Sequence, residues 1–322
     1  MTTSRPRVLL LGATGTIGRA TAAALVARRA HVTCLVRGTV DPDAFPGAVV
    51  RVVDVTDATS LRRDGFAGEP FDVVVSCLAS RTGAPADAWA IDHRAQSIAL
   101  AAAQAAGVGH FVLLSAICVQ KPRLAFQYAK LAFEAELMRS GLRWTIVRPT
   151  AFFKSLSGQV ERVRGGKRFL VFGDGTMTSC KPISDADLGA FIAGCLDDPE
   201  KWNTILAVGG PGPAITPRDQ GSALFRLLGQ PPRFGHLHIG LLDTVITVLT
   251  TLGRVVPRFA AKAELARIGR YYATESMLVW NATGRRYDAD ATPSAGTDTL
   301  FDHYAALLRG DARSDRGDHA VF

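Results

Sequence analysis

The sequence is poor in features that staple or anchor a chain. Its five cysteines (Cys34, Cys77, Cys118, Cys180 and Cys195) are odd in number, widely spaced and form no Cys-x-x-Cys pair. That excludes a disulfide framework and a structural zinc site, and it points to a reducing compartment. Long apolar runs are missing too. Val8–Leu11 meets a glycine turn after four residues, too short for the core of a signal peptide. The stretch Leu237–Leu252 is interrupted by Asp243 and by Thr244, Thr247, Thr250 and Thr251, too polar to span a bilayer. A soluble, cytoplasmic protein is expected. There is no basic tract: 37 Lys and Arg against 29 Asp and Glu leave a formal charge of +8, but the basic residues are scattered. That favours an anionic small ligand over nucleic acid. No internal repeat is visible.

What is present is a globular composition, 48% hydrophobic and 20% charged, in 322 residues, enough for two domains or for one large α/β domain with an appended lobe. Short β-branched runs alternate with Ala-rich helical stretches. Strands are predicted at Arg7–Leu11, His31–Val36, Val49–Val53, Asp72–Cys77, His110–Ser115 and Trp144–Val147, with helices at Gly18–Arg28 and Ile91–Ala106, the latter closed by Gly107. This rhythm implies an α/β fold, a doubly wound parallel sheet of the Rossmann type. After Pro149 it loosens into a Gly-rich, hairpin-like piece (Gly165-Gly166, Gly173-Asp174-Gly175), a short helix from Asp185 and a strand at Thr204–Val208. Gly209-Gly210-Pro211-Gly212-Pro213 then turns the chain out of the core. From about Thr216 onward the pattern is mainly helical, with Leu237, Leu241, Val245, Leu249 and Leu252 at helical spacing. The expected division is a nucleotide-binding core over 5–155, a smaller, mainly helical substrate lobe over 156–310 that adds further strands to the core sheet, and a flexible tail over 311–322.

Gly12-Ala13-Thr14-Gly15-Thr16-Ile17-Gly18 follows the first strand directly and opens a helix. Glycines there allow a tight turn and close approach of the backbone to a pyrophosphate, whose charge is met by the free N–H groups of the helix start. The second strand runs into Arg37, at the position about 20 residues past the motif where an NAD site carries an acidic residue. A guanidinium there suits a 2′-phosphate, so NADPH is the predicted cofactor. Asp54 and Val55, at the end of the third strand, are placed beside the adenine, and Cys77, Leu78 and Ala79 along the cofactor's path at the carboxyl edge of the sheet. His236-x-His238 reads as helix capping and side-chain contact rather than metal ligation, and no metal is expected.

The glycine spacing, Asp54, Ser115 after the fifth strand, Lys130 on the next helix and Arg148-Pro149 resemble the extended and atypical short-chain dehydrogenase/reductases over roughly residues 7–215. That resemblance implies a Tyr-x-x-x-Lys pair on one helical face, the lysine holding the nicotinamide ribose. Here the position four before Lys130 is Phe126, which cannot donate a proton, and Tyr128 falls about 160° round the helix from Lys130. Longer stretches, Ser115–Pro122, Arg148–Leu156, Cys180–Ser184, Ala266–Met277 and Asp288–Ser294, resemble the divinyl chlorophyllide 8-vinyl reductase family, NADPH-dependent enzymes of chlorophyll and bacteriochlorophyll biosynthesis that look to carry phenylalanine at this place.

The resemblance implies a tetrapyrrole substrate, 3,8-divinyl (proto)chlorophyllide a, whose 8-vinyl group takes a hydride from NADPH. The charge so created spreads over the macrocycle, and a phenol is less needed than for an alkoxide. It further implies catalytic roles for Lys130, Tyr128 and Ser115, the proton donor being open among water, Lys130 and Tyr128. Pro149, Thr150 and Phe152 join the cofactor contacts, and Phe126, Phe152, Phe153, Arg270 and Tyr271 the substrate contacts. For Leu237–Leu252, burial is the default, with docking on a photosynthetic membrane, an active-site cover or a dimer face as other uses. Two rival readings stand beside this one: an isoflavone-reductase-like or quinone-reducing enzyme of the same fold, and a non-catalytic NADP-sensing or assembly protein.

Overall fold

The computed structural model describes residues 5–311, so the tail expected over 311–322 lies, except for Asp311, outside the described residues. The core is organised by β1 (Arg7–Leu11). Val8 and Leu10 face one layer of apolar side chains, Leu9 and Leu11 the other, and all four are fully buried. A strand covered on both faces is an unbroken apolar run rather than an alternating one. Six more strands complete the sheet: β2 (His31–Val36), β3 (Val49–Val52), β4 (Val73–Ser76), β5 (His110–Leu114), β6 (Arg143–Pro149) and, after β7 (Phe169–Phe172) has left it, β8 (Thr204–Val208). They pair in parallel in the order β3-β2-β1-β4-β5-β6-β8, and the order reverses between β1 and β4. A crevice at the carboxyl ends of the strands opens at such a switch point.

Helices cover both faces. On one side α1 (Thr16–Ala27) contributes Ile17, Ala22 and Leu25 to the core. On the other, α2 (Gln96–Ala105) contributes Ala99 and Leu100, and α3 (Ala125–Met138) contributes Phe133 and Leu137. The face of α1 is completed by α4 (Asp185–Ala193) with Leu188 and Ile192. A separate apolar cluster joins β7 to α5 (Pro217–Leu227) through Phe169, Val171, Leu224 and Phe225. The rest of the lobe comprises β9 (Phe234–Leu237), the antiparallel pair α6 (Ile239–Gly253) and α7 (Pro257–Thr274), the hairpin β10 (Val279–Asn281) and β11 (Arg286–Asp288), and α8 (Leu300–Arg309), whose Tyr304 is fully buried in that cluster.

Several expectations are corrected. The Gly-rich piece is not a hairpin, because β7 pairs in parallel with β9, more than 60 residues further on (Phe169 with Phe234). Leu237 is the last residue of β9 rather than part of a helix, and α6 begins after His238, whose side chain caps it. No residue of α6 is buried, so burial is not its role. The helix expected from Ile91 opens with a π-helical turn, Trp89–Ala95, and becomes regular only at Gln96. The glycine-turn helix starts at Thr16, two residues before the expected start. β3 stops at Val52, β4 covers Val73–Ser76 and β5 stops at Leu114, whereas β6 runs to Pro149 because β8 pairs with its whole second half.

Candidate active site

The glycine turn fills the crevice between β1 and β4. Gly12 has φ +74°, and a Cβ there would lie 2.6 Å from the Cys77 carbonyl carbon and 2.8 Å from the Leu78 nitrogen. A Cβ on Gly18 would lie 2.1 Å from the Gly12 oxygen. Only glycine fits either place, and the turn is thereby pressed against the end of β4. Gly15 is the N-cap of α1 and provides no side-chain cap, so the first-turn N–H groups are free of a side-chain partner and form an anion cradle. This cradle fits a pyrophosphate. Thr14 is exposed and Thr16 half-buried, while Ile17 is a core side chain whose contribution to the cradle is its backbone.

At the far end, Arg37 is exposed just past β2. Hydrogen bonds from the Thr56 hydroxyl (2.6 Å) and N–H (2.9 Å) hold the Asp54 carboxyl below its usual range, with a smaller contribution from Arg37. Both Asp54 and Val55 lie beyond the strand, and Val55 is buried in the core. Cys77 and Leu78 are half-buried beside the turn and Ala79 is exposed next to them. Burial pushes the Cys34, Cys77, Cys180 and Cys195 thiols up to about 12, so these four stay protonated.

Lys130 is no surface lysine. It is 9% exposed, and its Nζ lies 2.9 Å from Oδ1 of Asp92, a carboxylate buried in the π-helical turn. The Ser80 N–H donates to the same oxygen (3.3 Å), while Asp92 Oδ2 has no partner among the described residues. One helical turn further along α3, buried Glu134 accepts from Ser115 Oγ (2.5 Å) and is clamped by the Arg148 guanidinium. The Ser115 proton is therefore committed to a carboxylate. Tyr128 points away: it is 50% exposed and its hydroxyl donates to the Pro122 carbonyl (3.1 Å), as the 160° offset from Lys130 requires.

After β6, Thr150 is buried, with its N–H on the Val208 carbonyl (2.9 Å) and its hydroxyl on the Lys181 carbonyl. Pro149 is the last residue of the strand. Phe152 is half-buried and bridges to Ile183, whereas Phe153 is turned into the lobe's apolar cluster against the His303 ring. Phe126 is half-buried at the seam between core and lobe, packed with Ile268 and Met277. Tyr271 is not a pocket wall but a staple: its buried hydroxyl donates to the Cys118 (2.9 Å) and Lys121 (3.1 Å) carbonyls. Arg270 is engaged by Asp243 of α6. His236 Nδ1 pairs with the Gly173 carbonyl (2.7 Å), and His238 accepts the Gly240 N–H (3.1 Å) as the α6 cap. Among the described residues no group of three His, Cys, Asp or Glu side chains is arranged to hold a metal.

Sequence reasoning missed Asp92, Glu134 and Lys154. Glu134 had a signal, since it lies four residues after Lys130 and so on the same helical face. Lys154 extends its Nζ to Thr16 Oγ1 (3.1 Å) across the crevice.

The chain matches the NAD(P)H-binding family over residues 12–199. It is 48% identical over 336 residues to a protein of Oryza sativa subsp. indica named divinyl chlorophyllide a 8-vinyl-reductase, chloroplastic, covering 99% of this chain and 83% of that protein. A protein of the same name from Cucumis sativus is 47% identical, over 98% of this chain and 79% of that one. Among solved structures, the NADPH-dependent quinone oxidoreductase of Escherichia coli in complex with NADPH superposes with a TM-score of 0.71 at 18% identity, over 94% of this chain and 99% of that one. The leucoanthocyanidin reductase of Vitis vinifera gives 0.70 at 16% over the same shares, 94% and 99%. At those identities the two structures speak for the fold alone.

Proposed function

This chain belongs to the divinyl chlorophyllide a 8-vinyl-reductase family, and from that premise we propose how its residues carry the reaction. It is an NADPH-dependent oxidoreductase that reduces the 8-vinyl group of divinyl chlorophyllide a to ethyl. NADPH, when bound, supplies the hydride. The glycine turn and the first turn of α1 receive the pyrophosphate, and Arg37 takes the 2′-phosphate with charge-assisted hydrogen bonds. Lys130, held by Asp92, donates to the nicotinamide ribose and keeps a proton beside the reacting carbons.

Conjugation with the macrocycle disperses the electron pair that forms on the vinyl carbon next to the ring, so a phenol four residues before Lys130 has no oxyanion to serve and Phe126 suffices. Of the three proton sources, Tyr128 is too far round its helix, with its hydroxyl on the Pro122 carbonyl, which leaves Lys130 and water. The observation that carries this reading is the buried Asp92–Lys130 pair one turn after a phenylalanine. The test is spectroscopic. Purified protein with NADPH and divinyl chlorophyllide a should shift the pigment's Soret band to the blue; an unchanged band would overturn the assignment.

The lobe's α6 supports a peripheral contact with a pigment-bearing membrane. Leu241, Val245, Val248 and Leu252 recur at helical spacing on one exposed face, and no described helix is long and apolar enough to cross a bilayer. Flotation with vesicles of thylakoid-like lipid should carry wild-type protein upward and leave Leu241→Ser/Val248→Ser behind. Equal flotation of both would remove α6 from membrane contact.

A further inference from the structure

Lys154 belongs to the short helix Phe153–Leu156 that follows β6, far along the chain from the glycine turn. Its ammonium nevertheless reaches the hydroxyl of Thr16, the first residue of α1, at 3.1 Å. The two residues lie in a cleft of about 490 Å³ that also includes Phe153, Ser184, Asp185 and His303. Asp185 Oδ1 is buried without a hydrogen-bond partner among the described residues, and Lys154 is the charge that opposes the upward push of burial on this carboxyl. Lys154 is thus held at the mouth of the anion cradle with an acidic residue behind it. The other cation next to the turn, Arg19, is occupied by the turn's own backbone and by a ring: its Nε donates to the Thr14 carbonyl (3.2 Å) and its guanidinium lies over the Phe45 ring.

We propose that Lys154 is a cofactor-binding residue whose ammonium contacts the pyrophosphate of NADPH above the N-terminus of α1. A pyrophosphate brings two negative charges, and a helix N-terminus offers only about half a positive one. A lysine on the opposite wall supplies a full positive charge more and draws the segment after β6 onto the cofactor. The arrangement divides the labour between two cations, Arg37 for the 2′-phosphate and Lys154 for the bridging phosphates.

The proposal rests on NADPH binding, and titrations of two ligands separate the claims. Binding of NADPH (by its fluorescence) and of 2′-AMP, which lacks the pyrophosphate, is measured for wild type, Lys154→Met, Lys154→Arg and Arg37→Ala. Lys154→Met should raise the dissociation constant of NADPH about tenfold or more and leave that of 2′-AMP unchanged. Lys154→Arg should recover most of the loss, and Arg37→Ala should weaken both ligands. Unchanged NADPH binding by Lys154→Met would overturn the proposal, as would an equal loss for 2′-AMP, which would mean that Lys154 acts on the fold. Wild type that binds no NADPH would overturn the cofactor assignment itself.

Discussion

Burying a charge is costly unless it is paired, and Lys130 is enclosed beside an anion. Asp92 supplies it at 2.9 Å from the π-helical turn Trp89–Ala95, and the N–H of Ser80, in the segment after β4, donates to the same carboxylate oxygen. Removing one partner of a buried pair leaves the other charge uncompensated, at a cost of about 3–5 kcal/mol. Asp92→Asn should therefore lower unfolding stability by an amount of that order in urea titration and lower turnover with it. Lys130→Met should cut turnover by about a hundredfold or more, because the ammonium proposed to hold the ribose and to keep a proton at the reacting carbons is gone. If Lys130→Met turns over like wild type, the lysine has no part in the chemistry. Asp92 was not evident from local sequence, and helical spacing placed Glu134 on the face of Lys130 without giving its clamp, since each takes its meaning from partners on other elements: Lys130 for the one, Ser115 and Arg148 for the other. The glycine turn was legible, because a positive φ and a sub-van-der-Waals approach require glycine whatever the rest of the chain does.

At the scale of elements, the lobe is fastened to the core by Glu275, at the end of α7. Its buried carboxylate accepts from Lys121 (2.5 Å) and from Tyr287 of β11 (2.6 Å), and it pairs with Arg123 (3.0 Å). Lys121 also lies 4.2 Å from the centre of the Trp280 ring. Burial pushes the Glu275 carboxyl up, but the Lys121 and Tyr287 hydrogen bonds and the two cations together outweigh it and hold it below its ordinary value of 4.5. A group depressed on folding contributes stability in full above its unfolded pKa and loses it as the pH falls through the folded one. The melting temperature should therefore drop on acidification below about pH 4.5, with part of that dependence missing in Glu275→Gln. Identical pH profiles for the two proteins would show that this fastening carries no stability. Element assignment from sequence followed the same divide between local and distant causes. β1, β2 and β8 were readable to the residue because short apolar or β-branched runs ended at turns. Leu237 was drawn into a helix because the apolar spacing of α6 continues backward through it, while the hydrogen bonds that make it a strand come from β7, far upstream.

For the whole molecule, a parallel sheet buried on both faces holds the cradle rigid at its carboxyl edge, and a lobe joined to it by Tyr271 and Glu275 covers the same edge. The scattered positive charge of +8 suits a ligand that brings phosphates and a substrate that brings a carboxylate. The central claim is that this frame delivers a hydride to a vinyl group without help from a tyrosine. The most direct measurement is the fate of the label when divinyl chlorophyllide a is reduced with NADPH deuterated at the transferring position of the nicotinamide. The account predicts one deuterium in the methyl of the new 8-ethyl group and a solvent-derived hydrogen on its methylene. Deuterium on the methylene, or a labelled cofactor consumed with the vinyl group left intact, would contradict it.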